Sequence, residues 1–129
     1  MKLQKKSITA GRGRCRIEAE FRHLGRDVLL WIWGGAGPHI GSVVITEPGL
    51  RKTGQHRFAT TSSVLSFPGH KDEAVARLCG EHISAHLGVR TVACAGIHIP
   101  QATTDDIALV MKNAGLLCRK ILLHVRQHI

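Results

Sequence analysis

The hydrophobic period of this chain changes once along its length, and that change limits the fold more than any single motif. From Gly13 the run RCRIEAEFR alternates: Cys15, Ile17, Ala19 and Phe21 on one side, Arg14, Arg16, Glu18, Glu20 and Arg22 on the other. A period of two predicts a strand with one wet face. Val28 to Trp33 is apolar at every position, which predicts a central strand or one covered on both faces. Ser42 to Thr46 reads as a third strand, and RFATTSSVLSF as a fourth whose Thr/Ser side meets solvent. Then the spacing turns helical. In HKDEAVARLCGEHISAHLG the residues Val75, Leu78, Cys79, His82, Ile83 and Leu87 share a face. Asp72 and Glu73 suit that helix's positive end, and Gly88 its C-terminal cap.

VRTVACAGIHI returns to strand character, and TTDDIALVMKNAGLLCRKILLHVRQ closes the chain as a long amphipathic helix. Its predicted stripe is Ile107, Val110, Met111, Ala114, Leu117, Cys118, Ile121 and Val125, with Thr103 and Asp106 spaced as a capping-box variant. Four strands, a helix, a strand and a helix predict an α+β fold. Short early connections favour antiparallel pairing, giving a mainly antiparallel sheet of five strands with two helices packed on one face. Sheet edges must be managed, so a homodimer joined through sheets or helix stripes is expected.

WIWGGAGPHIGSVVI, Trp31 to Ile45, spends four glycines and a proline between two strands, where a hairpin needs only two loop residues. A dinucleotide fingerprint fails here because a strand, not a helix, follows. What remains is a wide turn or a backbone nest for an anion, with His39 on its rim and Trp33 at its entrance. FPGHKDE places His70 and Lys71 at the start of the first helix, where an anion would meet amides and a cation. His98 alternates with Ile97 and Ile99 at the end of the last strand. His82 and His86 lie one helical turn apart, but there is no HExxH, and no metal is expected. No nucleophile elbow or activated cysteine argues for an enzyme.

At 129 residues the chain suits one domain, read as residues 13–129 behind a flexible basic segment, 1–12. The formal charge of +9 is concentrated in residues 1–26, which carry +6 of it. That segment reads as a solvated terminus or an arm for an anionic partner. The low aromatic content, 4% with no tyrosine, argues against an RNA platform, and a nucleic-acid partner is not expected. No apolar run approaches the ~18 residues of a membrane span. The expected location is cytoplasmic, with Cys15, Cys79, Cys94 and Cys118 all reduced.

Three segments taken together, GGAGPHIGSVVI, FPGHKDEAVARL and AGIHIPQATTDDI, resemble the LpdD-like family from about Cys15 onward. Those small proteins are associated with UbiD-type decarboxylases, are described as prenylated-flavin chaperones, and are similar in fold to proteasome assembly chaperones. The resemblance implies a non-catalytic carrier. It would hold prenylated FMN, or FMN, made by a flavin prenyltransferase and pass it to a UbiD-type decarboxylase. The residues chemically suited to that cofactor are Trp33, Gly35, Gly37, His39, Gly41, Ser42, His70, Lys71 and His98. The alternative is an accessory subunit or assembly factor of a decarboxylase complex with no small ligand of its own.

Overall fold

The computed structural model describes residues 7–51, 53–54, 56–67 and 72–127. The alternating run becomes β2, Ile17–Leu24, which forms a hairpin with the apolar β3, Asp27–Gly35. A second antiparallel pair follows, β4 (Ser42–Arg51) with β5 (Phe58–Ser66). The last strand, β6 (Thr91–His98), inserts between the two pairs, parallel to β3 and antiparallel to β4. A short β1, Ile8–Ala10, lies antiparallel to β2 at the edge. The sheet order is β1-β2-β3-β6-β4-β5.

The sheet is therefore mainly antiparallel, as expected, with one parallel pairing and six strands rather than five. β1 escapes sequence reading because three residues are too few to display a period. It also falls inside the stretch expected to be a loose basic arm. There Ile8 and Ala10 are buried, and Lys120 Nζ donates to the Thr9 carbonyl at 2.8 Å. β3 is central, but only one of its faces is covered.

Helix α1, Glu73–Leu87, packs on β4, β5 and β6, while α2, Thr104–Gln127, packs on β1, β2 and α1. Both lie on the face that carries Ile17, Ala19, Leu30, Ile32, Val44, Ala93 and Ala95, all fully buried or nearly so. Gly88 ends α1 with φ 65°, in the left-handed region that glycine enters without steric cost. The capping box forms at α2: Asp106 N–H donates to Thr103 Oγ1 at 3.1 Å, and Thr103 N–H to Asp106 Oδ2 at 3.0 Å. That second bond is the leading reason the Asp106 carboxyl is held below its usual pKa. The α2 stripe is buried from Val110 to Val125, whereas Ile107, in the first turn beyond the sheet, is 55% exposed.

The two helical stripes prove to be each other's partners. Cys79 and Cys118 face one another across the contact, with Cα atoms 4.9 Å apart, and form a disulfide. This corrects the expectation of four reduced thiols; Cys15 and Cys94 remain free. Among the described residues, no three His, Cys, Asp or Glu side chains converge as metal ligands, and no helix is long and apolar enough to cross a membrane.

His82 and His86 stack at 4.3 Å between ring centroids, and His86 Nδ1 donates to the His82 carbonyl at 2.8 Å. Burial first, then the charge of His86, lowers the His82 pKa to about 4. The folded state thus prefers neutral His82, while the unfolded chain takes up a proton near pH 6.5. Stability is full above pH 6.5 and falls as pH drops from there to about 4. After discounting for partial solvent screening the loss is on the order of 1–2 kcal/mol. Denaturant titrations across that window should show it for the native chain and show it reduced in His82→Gln. Equal slopes for the two proteins would remove His82 from the account.

Candidate functional site at the glycine loop

The position of β6 explains the glycines. β3 and β4 are not hairpin partners, so residues 36–41 must step across the end of the strand between them. Ala36 N–H donates to the His98 carbonyl at 2.8 Å, and Gly41 N–H to the Ala95 carbonyl at 2.9 Å. Between these anchors the loop lies directly on β6. A Cβ on Gly96 would collide with the His39 carbonyl, and one on Gly35 with the His98 carbonyl. Gly37 has open space around it but adopts φ 84°, a backbone state unfavourable for other residues.

The start of α1 fastens the loop from behind. Asp72 does not cap its own helix; its buried carboxylate accepts from Ile97 N–H at 2.9 Å. Its other oxygen lies 3.7 Å from His39 Nε2, while His39 Nδ1 lies 3.2 Å from the Gly37 carbonyl. The imidazole is thereby oriented on the loop rim. Gly41 packs against Asp72, and Ser42 is fully buried, its hydroxyl 3.0 Å from that of Ser66. These two residues therefore support the loop instead of lining an opening.

Two adjoining openings flank the strap formed by Ala36 and Pro38. One, of about 370 Å³, gathers Gly37, His39 and His98. The other, of about 620 Å³, is lined by Trp33 and Gly35 together with Gly13, Arg14, Arg16, Glu18, Gly34 and Pro100. Both volumes lie within the range of about 300–1,000 Å³ common for small-ligand sites. The structure thus divides the predicted set: Trp33 and Gly35 to the larger cleft, Gly37, His39 and His98 to the smaller. His70 and Lys71 lie outside the described residues.

Arg14 and Arg16 are the residues sequence reasoning missed. They were counted with the N-terminal charge, although a 3-10 turn, Gly13–Cys15, carries them to the mouth of the cleft beside Trp33. The turn is tied to α2 by the buried Asn113 Nδ2, which donates to the Cys15 carbonyl at 2.9 Å. Arg14 donates to the Pro100 carbonyl and to Asp106 Oδ2, both at 2.8 Å, and Arg16 pairs with Glu18 at 2.7 Å. Each guanidinium is about half exposed, at 53% and 50%, and with five donors keeps N–H groups for an incoming anion. The signal that could have found them was their alternation onto the same side of β2 as Glu18, the cross-strand partner of Trp33.

The architecture is that of a chaperone fold. A chain in the crystal structure of a chaperone complex for yeast 20S proteasome assembly superposes with a TM-score of 0.59 at 11% identity. The match covers 93% of this chain and 96% of that one. Within that fold the chain belongs to the prenylated flavin chaperone LpdD-like family, whose sequence profile matches residues 11–126. Protein LpdD of Lactiplantibacillus plantarum is 25% identical over 127 residues, spanning 95% of this chain and 86% of that protein.

Proposed function

We propose that the protein is a non-catalytic cytoplasmic carrier that binds prenylated FMN and delivers it to a UbiD-type decarboxylase, acting as a homodimer. The observation that carries the reading is the cleft in which the Trp33 indole stands beside Arg14 and Arg16. A phosphate suits the paired guanidinium groups, and a flat conjugated ring system suits an indole face. A micromolar Kd corresponds to about 8 kcal/mol, and one charge-assisted contact to roughly 1.5–3 kcal/mol, so ring burial must contribute much of the remainder. Lys71 and His70 join the proposal as further anion contacts, and Gly35, Gly37, His39 and His98 as the adjoining backbone and imidazole surface. The cofactor supplies the reactive chemistry only in the enzyme that receives it; the carrier holds, shields and releases it.

Co-expression with a flavin prenyltransferase, purification without oxygen and mass spectrometry of released small molecules test this reading. About one prenylated FMN per binding site is the expected result. An empty protein, from cells shown to be making the cofactor, would end it. A second reading then takes over, favoured by the apolar sheet face described next: an accessory subunit that binds only protein.

A further inference from the structure

Alternate side chains of the central strands point away from both helices and meet no covering element. Register aligns Trp31, Cys94, Val43 and Leu65 as one row across β3, β6, β4 and β5. Leu29, Val92 and Ile45 form the next row. Leu65 is 68% exposed and Ile45 46%. The rim is polar: Glu20 and Arg22 end these rows on β2, and Ser63 ends the second on β5. An apolar centre inside a polar margin is the layout of a protein interface.

We infer that a second copy of this chain docks on this face, and that the docked copy supplies the missing wall of the Trp33 cleft. The second half of this inference rests on the carrier reading; the first does not. Three features favour a copy over another occupant. The sheet face measures about 29 Å by 26 Å from strand spacing and rise, so two copies would bury about 1,500 Å², within the range of stable interfaces. Two sheets of identical right-handed twist pack face to face with strands nearly aligned. The charged margin on β2, Arg16, Glu18, Glu20 and Arg22, sums to zero, so the face does not repel its own copy. The link to the cleft is geometric. Trp33 and its cross-strand partner Glu18 continue the same face and also line the cleft. A flat ring laid on the indole would otherwise have solvent on its far side.

The protein reports on this face directly, because its only two tryptophans, Trp31 and Trp33, both stand on it. Sedimentation across a dilution series, with tryptophan emission recorded alongside, should show a dimer whose dissociation shifts the emission to the red. Ile45→Glu lies on β4, remote from the cleft, and should raise the dimer dissociation constant roughly 100-fold. It should also weaken prenylated FMN at least about 10-fold, with circular dichroism unchanged. Leu65→Lys, on the edge strand, is a second variant with the same expected direction.

A protein monomeric at every concentration would overturn the inference. So would a dimer that both variants leave intact, which would place the contact elsewhere, for instance on the exposed Leu109, Leu116 and Leu123 of α2. A dimer broken by Ile45→Glu with unchanged cofactor affinity would overturn the shared wall. A dimer sensitive to the variants that takes up no prenylated FMN would uphold the interface and remove only the carrier reading.

Discussion

Gly96→Ala should lose about 2–4 kcal/mol of stability and most of its cofactor affinity, although the change adds one methyl group. The new Cβ would occupy the place of the His39 carbonyl. A flexible side chain could swing aside, but a backbone carbonyl moves only with its loop. That loop is fixed on both sides of the collision, by Ala36 to His98 and by Gly41 to Ala95. Relief requires giving up one of these hydrogen bonds or lifting the strap that separates the two openings. Gly37→Ala is the control, since it meets no neighbour and pays only for φ 84°, about 1–2 kcal/mol. Chemical denaturation of both variants, with cofactor titration, decides the matter. Gly96→Ala as stable as Gly37→Ala would mean that the loop does not lie on β6.

The arginine pair carries the second large effect. Arg14→Gln combined with Arg16→Gln should weaken the phosphorylated cofactor roughly 100-fold and its dephosphorylated analogue only a few-fold. Two charge-assisted contacts could supply more, but both side chains are half exposed, and solvent screens them. Arg14 also ties the 3-10 turn to Pro100 and Asp106, so loss of affinity alone would mix recognition with structure. The ratio between the two ligands separates them. Equal losses for both would take the arginines out of phosphate recognition and leave them as struts.

Local periodicity made much of this fold readable. The alternation of β2, the Gly88 cap, the Thr103–Asp106 box and the Val110–Val125 stripe each depend on residues a few positions apart. What lay hidden involves distance along the chain. Nothing near Thr91 tells β6 to insert between β3 and β4, and without that insertion the glycines of the loop have no evident purpose. Cys79 and Cys118 looked like buried thiols because each stripe was read without its partner. Arg14 and Arg16 were legible as charge but not as a site, because position in the sequence stood in for position in space. Gly41 and Ser42 were read as contacts and prove to be scaffolding, which spacing alone cannot separate from a rim.

The insertion of β6 also sets a schedule. The strands made first form two separate pairs, β2 with β3 and β4 with β5, and neither can join the other until β6 arrives. A nascent chain therefore carries two open strand edges, one beside two tryptophans, until about His98 has left the ribosome. Only then do distant segments zip into a single sheet, a topology that slows folding by making its central contacts non-local. A protein whose family protects a labile cargo thus passes through a period of its own synthesis when it most needs protecting.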